Sequence, residues 1–146
     1  MPTLYTIGFQ RKSLSEFVHL LRENGVKAVI DIRLRNTSQL SGYAKRDDLA
    51  FALREGFGIA YEHRLDLAPA DSILDSFRQD GDWEGYQESF ERLLGERRAE
   101  EAGREILSRY QGVCLLCSEP AADHCHRRLV AEYWALHIPD LAIVHL

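Results

Sequence analysis

Two short stretches near the C-terminus hold most of the side chains that could do chemistry. Cys117-Ser118-Glu119 and Cys125-His126-Arg127 bring two thiols, a carboxylate, an imidazole and a guanidinium close together in the chain. A thiolate is a strong nucleophile, and a cysteine just ahead of a helix is held toward that form by the helix dipole and by nearby cations, here Arg127 and Arg128. Cys117 or Cys125 is therefore the candidate nucleophile, with His126 or His124 as its base and Glu119 orienting the imidazole or moving protons. The competing structural reading has Cys125 packed beneath the helix, His126 capping it and Glu119 paired with an arginine. A disulfide between Cys117 and Cys125 is a further reading, disfavoured by the reducing compartment expected for the chain.

The same residues invite a zinc reading, because Cys114-x-x-Cys117 and Cys125-His126 supply four soft ligands. In an extended strand, however, residues 114 and 117 point to opposite faces. Cys125 and His126 are also immediate neighbours, whereas zinc modules space their second pair, so no metal ligand is assigned. Earlier in the chain, Asp31, Arg33 and Ser38 follow one apolar run, and Gly8 and Arg11 follow another. Arg33 and Arg127 can each make bidentate contacts to phosphate or carboxylate that a lysine could not reproduce. The expectation is that both grip one small anion, with Asp31, Ser38, Gly8 and Arg11 lining the same site.

These side chains need elements to position them. Thr3 to Ile7 alternates β-branched and aromatic residues up to Gly8 and reads as a strand. Ser13-Leu14-Ser15-Glu16 fits a capping box, Leu14, Phe17, Val18 and Leu21 form one apolar face, and Asn24-Gly25 closes the helix. Val26 to Ile32 is a nearly continuous apolar run, the profile of a strand covered on both faces. Residues 34–44 read as a long loop, 47–55 as a helix and 59–63 as a third strand. Residues 70–110 are mainly helical, broken at Asp80-Gly81-Asp82 and at Gly95 and Gly103, and their aromatics Phe77, Trp83, Tyr86 and Phe90 read as core or lid packing. Val113 to Cys117, residues 126–137 and Leu141 to Val144 complete the pattern as strand, helix and strand. The predicted fold is α/β, with a three-layer, mostly parallel sheet of about five strands and helices on both faces, Rossmann-like or flavodoxin-like. In such sheets ligands gather at the carboxyl ends of the strands, which is where the candidate residues fall.

Composition narrows the function. With 45% hydrophobic and 28% charged residues, the 146-residue chain is expected to be one domain with a real core. No apolar run approaches the roughly 18–20 residues of a membrane span, and no signal peptide is apparent, so a reducing cytoplasm is expected. The net charge of −5 argues against indiscriminate binding of nucleic acid. Residues 1–64 nevertheless carry ten Lys and Arg against seven Asp and Glu, so Arg11, Lys12, Arg33, Arg35, Lys45 and Arg46 could meet a small anion. Gly8 to Ser13 lacks the glycines of a Walker motif and of the dinucleotide fingerprint, so neither ATP nor NAD is implied and no cofactor is assigned.

Several blocks resemble the domain of unknown function 488 family. They are Thr6-Ile7-Gly8-Phe9, Ser13 with Phe17, Gly25-Val26, Asp31-Ile32-Arg33 followed by Ser38, Gly58-Ile59-Ala60-Tyr61, Leu115-Leu116-Cys117-Ser118-Glu119 and Cys125-His126-Arg127. The resemblance implies a compact cytosolic α/β domain of prokaryotes with its site at Asp31, Arg33, Ser38, Cys117, Glu119, Cys125, His126 and Arg127. Asn36 stands where the family tends to have proline, and Leu67-Ala68-Pro69 where it tends to have a Leu-Gly-Gly turn, which bears on the shape of both loops. The expected function is an enzyme, a hydrolase or transferase, acting on a small phosphorylated, nucleotide-like or nucleic-acid-derived anion. The alternative is a non-catalytic anion or nucleic-acid binding module whose Cys and His are structural.

Overall fold

In the computed structural model, which describes residues 2–119 and 122–146, the local signals translate directly into elements. β1 (Thr3–Gly8) leads into α1 (Leu14–Glu23). Ser13 Oγ accepts from Glu16 N (3.1 Å) while Glu16 Oε1 accepts from Ser13 N (3.2 Å), the reciprocal cap that satisfies two orphan donors. β2 (Ala28–Asp31) is followed by a 3₁₀ turn over Gln39–Ala44, then α2 (Arg46–Phe51), which continues as a π-helical turn to Gly56. β3 (Ala60–His63), α3 (Asp71–Asp80), α4 (Trp83–Glu96), α5 (Ala99–Arg109), β4 (Val113–Cys117), α6 (His126–His137) and β5 (Ala142–His145) complete the order.

The expected helical region 70–110 is thus three helices with two breaks, one where predicted and one displaced, and the predicted break at Gly103 is absent. Gly81, at φ +65°, ends α3 as expected. The break between α4 and α5 falls at Arg97 and Arg98, where Arg98 is left-handed (φ 53°), while Gly95 and Gly103 lie inside helices. Gly103 is there for space: a Cβ would stand 2.8 Å from Trp134 Cδ2. Its missing side chain lets α5 close on the α6 indole, whose Nε1 donates to the Ala99 carbonyl (3.0 Å).

The five strands pair in the order β3-β2-β4-β1-β5, parallel throughout. Rossmann and flavodoxin sheets keep β1 beside β2, whereas here β4 separates them. Side-chain alternation then splits the interior in two. Leu4, Ile30, Leu115 and Cys117 face α3, α4, α5 and α6, whereas Ile7, Val29, Cys114 and Leu116 face α1 and α2. The connections after β1 and β2 run over one face, and those after β3 and β4 return over the other, as right-handed crossovers require. The chain therefore leaves the neighbouring strands β2 and β4 in opposite directions, and their loops part at the carboxyl edge of the sheet. No helix among the described residues is long and apolar enough to cross a membrane.

Candidate functional site

Where those loops part lies a cavity of about 380 Å³. Arg33, Leu34 and Arg35 line it after β2, Cys117, Ser118 and Glu119 after β4, and His124, Cys125 and His126 at the start of α6. Its remaining wall comes from α3 and α4, chiefly Phe77, Arg78, Trp83 and Tyr86.

Cys117 and Cys125 are joined in a disulfide, with Cα atoms 7.5 Å apart. Cys117 projects from β4 toward the α6 side, and Cys125 packs into the same cluster from the N-cap of α6, so the two sulfurs meet. In this state neither is a thiolate, which corrects the expectation of a free nucleophile at either position. The free cysteine among the described residues is Cys114, on the opposite face, with its thiol pushed well above its ordinary pKa by burial. The strand alternation that separates residues 114 and 117 is thus in place.

His126 is fixed from β2. Its Nε2 lies 2.7 Å from the Ile32 carbonyl, and a carbonyl only accepts, so Nε2 carries the hydrogen and Nδ1 the lone pair. Burial pushes its pKa down to about 4, against the pull of the Ile32 carbonyl and Asp31. At neutral pH it is an uncharged acceptor. Its ring meets Phe90 edge-on at 5.8 Å.

Arg33 and Arg127 do not converge. Asp31 ends β2 and Arg33 follows two positions on, and the two pair with each other: Nε and Nη2 donate to the two carboxylate oxygens at 2.8 and 2.7 Å. Asp31 also accepts from the Arg33 amide (3.1 Å), Asn36 Nδ2 (3.0 Å) and the Tyr61 hydroxyl. Burial pushes its carboxyl up, but the hydrogen bonds and charge of Arg33, with Tyr61 and Asn36, outweigh that and hold it below its ordinary value. Arg33 Nη2 also donates to the Ala44 carbonyl (2.7 Å), its guanidinium lies 5.2 Å from the Phe9 ring centre, and Nη1 has no partner among the described residues.

Arg127 sits on the other face, where Nε donates to Thr6 Oγ1 (3.1 Å) and Nη1 to the Glu119 carbonyl. The joint clamp is therefore corrected: strand alternation puts Asp31 with the α1 side and Thr6 with the α6 side. Gly8 is explained by this second network, since a Cβ there would overlap the Glu119 carbonyl oxygen and stand 2.5 Å from Arg127 Nη1.

The other predicted contacts lie apart from the cavity. Ser38 is exposed and its hydroxyl caps the 3₁₀ turn by accepting from Leu40 N, and Arg11 is exposed with φ 61°. Lys12 donates to the Gly8 carbonyl (2.9 Å). Of the early basic residues, Arg33 and Arg35 reach the cavity wall; Glu119 lines it too.

Sequence reasoning missed Arg78, whereas the aromatics read as core or lid packing. Phe77, Trp83 and Tyr86 do pack on the core, and they also form the cavity wall. Trp83 stacks on Tyr86 (5.0 Å, 16° between planes) and on His124 (4.9 Å, 26°). Arg35 pairs with Asp71, and Arg78 with Asp75 (3.3 Å), all exposed. Such exposed pairs contribute at most about 1 kcal/mol. The one set of described residues that could hold a metal ion is Cys117, Cys125 and His126, whose ligand atoms lie within 4.8 Å of one another.

A family model described as a domain of unknown function, DUF488, matches residues 13–134. No curated protein and no solved structure matches the chain.

Proposed function

Since the chain belongs to the DUF488 family, and the matched segment contains every residue lining the cavity, we propose that it is a cytoplasmic enzyme, a hydrolase or transferase, that acts on a small nucleotide-like anion bound there. The observation that carries this reading is the pairing, in one cavity, of loosely held cations with an aromatic wall: Arg35 and Arg78 beside Phe77, Trp83 and Tyr86. A phosphate group would take the two guanidiniums, and a planar ring would lie along the aromatic surface. About 380 Å³ is within the usual range for small-molecule sites. The N-terminus of α6 adds partial positive charge at the same edge. Glu119 is the group for proton transfer, and His126 Nδ1 accepts a hydrogen bond from the ligand. Arg33, Arg127, Asp31 and Gly8 hold the loops that shape the cavity, rather than the ligand.

Thermal-shift and calorimetric screening of the full chain against nucleoside phosphates, sugar phosphates and short oligonucleotides tests this. A binder raises the melting temperature, because it is held by the native state alone. Arg35→Ala and Arg78→Ala should each weaken binding by about 1.5–3 kcal/mol, roughly tenfold or more, without loss of stability. Binding undiminished in both variants, or no binder in any class, would refute the site. The disulfide favours a second reading, a non-catalytic anion-binding module in which Cys117 and Cys125 are structural. Following bound ligand by phosphorus NMR separates the two, since a binding module returns it unchanged.

A further inference from the structure

We propose that, once the disulfide is reduced, Cys117, Cys125 and His126 form a binding site for a divalent metal ion of the zinc class, with its fourth coordination position facing the cavity. Two sulfurs and an imidazole already lie within 4.8 Å, supplied by a strand end and a helix start rather than by mobile loops. Thiolate and imidazole together are the donor set that borderline-soft ions select.

Three further observations support the inference. The imidazole is oriented by donation of its Nε2–H to the Ile32 carbonyl, the arrangement in which metal-bound histidines are usually held, and this leaves Nδ1 as the donor atom. The Cα atoms of Cys117 and Cys125 stand 7.5 Å apart, beyond the roughly 4.4–6.8 Å usual for a disulfide, so the backbone leaves room for an ion between the sulfurs. All three residues line the cavity, which provides a path for the ion. Two thiolates neutralise a divalent charge, so the nearby arginines do not oppose it. Cys114 is not part of the set, because it lies on the other face of the sheet. Three protein ligands leave the fourth tetrahedral position to water or to an anion in the cavity.

The steps balance with a dithiol as reductant. The protein S–S bond takes up two electrons and two protons, and the dithiol leaves as its cyclic disulfide. Metal binding then releases two thiol protons to solvent as two metal–sulfur bonds and one metal–nitrogen bond form. In a reducing compartment the metal form would be the resident one.

The test uses the full chain, reduced with dithiothreitol under argon, freed of reductant by gel filtration and titrated with Co²⁺. The reduced protein should bind one equivalent, with sulfur-to-cobalt charge-transfer absorption and the visible bands of tetrahedral cobalt, both bleached by Zn²⁺. The oxidised protein should bind none. Cys114→Ala should keep the spectrum, whereas Cys117→Ser and His126→Ala should lose it. A reduced protein that takes up no cobalt, an oxidised protein that binds equally well, or an unchanged spectrum in His126→Ala overturns the proposal. If the variants fail to fold, the reduced and oxidised wild-type protein still decide it. Nucleotide binding by the oxidised protein is a separate readout, so failure here leaves the anion site standing.

Discussion

Replacing Asp31 by asparagine keeps the side chain's size but takes away the charge that Arg33 depends on. The carboxylate is fully buried, and its oxygens receive Arg33 Nε, Nη2 and backbone N–H, Asn36 Nδ2 and the Tyr61 hydroxyl. In the variant one oxygen becomes an NH₂ group that confronts these donors, and the 3%-exposed guanidinium is left without a counter-charge. Breaking a buried pair in this way costs about 3–5 kcal/mol. That is a large share of the roughly 5–15 kcal/mol by which domains are stable, and it corresponds to a fall in Tm of roughly 10–15 °C. Urea denaturation should show this loss, and Asp31→Asn combined with Arg33→Met should recover much of it, because the double variant buries no unpaired charge. A loss below about 1 kcal/mol for Asp31→Asn, or a double variant no better than the sum of the singles, would refute the assignment of Arg33 as a structural partner. Acid gives an independent check. The folded carboxyl lies below its ordinary value of about 4, so its contribution is complete above that pH and is lost as pH falls toward the folded value. The gap between wild type and Asp31→Asn should therefore narrow on acidification.

Two further outcomes follow from the same geometry. Gly8→Ala should destabilise by about 1–3 kcal/mol in urea titrations, because the added methyl overlaps the Glu119 carbonyl and crowds Arg127; wild-type stability would mean that this loop junction is looser than described. In the disulfide form, the His126 ring proton resonances should stay flat from pH 8 to 5 and titrate near the folded value of about 4, and a midpoint near 6.5 would contradict its burial. Because this folded value lies below the unfolded one, the contribution of His126 to stability is complete above pH 6.5 and is lost as pH falls through about 4.

Most of the fold was legible because its signals are local. The cap at Ser13 and Glu16, the buried stripe of Phe17, Val18 and Leu21, and the apolar runs of β2 and β4 each depend on residues within a few positions of one another. Strand order was not legible: nothing near β4 says that it inserts between β1 and β2. The same limit affected the site. Asp31 and Arg33 could have been paired from their opposite charge and short spacing. That Thr6 would receive Arg127, 121 positions away, depends on where α6 lies over β1, which no local pattern carries. Arg78 was passed over because on sequence it is one more charge on an amphipathic helix, and only the packing of α3 against α4 brings it to the cavity.

The blocks that stand out in the sequence do meet in space, but with a division of labour that residue type alone conceals. Arg33 and Arg127 are the strongest hydrogen-bond donors in those blocks, and both spend donors on the protein, Arg33 keeping Nη1 without a partner among the described residues. One ties the end of β2 to the 3₁₀ turn through Asp31 and the Ala44 carbonyl. The other ties β1 to the loop after β4 through Thr6 and the Glu119 carbonyl. They act from opposite faces of the sheet, on either side of β4, the strand that ends in Cys117. A guanidinium is suited to this task because its several donors can join segments that no backbone ladder connects. The sulfurs and His126 are thereby held between two fixed loop junctions, while the exposed Arg35 and Arg78 make only surface ion pairs, with Asp71 and Asp75. Substitutions in the two groups should therefore separate: Arg33→Lys and Arg127→Lys should act first on stability, and Arg35→Ala and Arg78→Ala on binding alone.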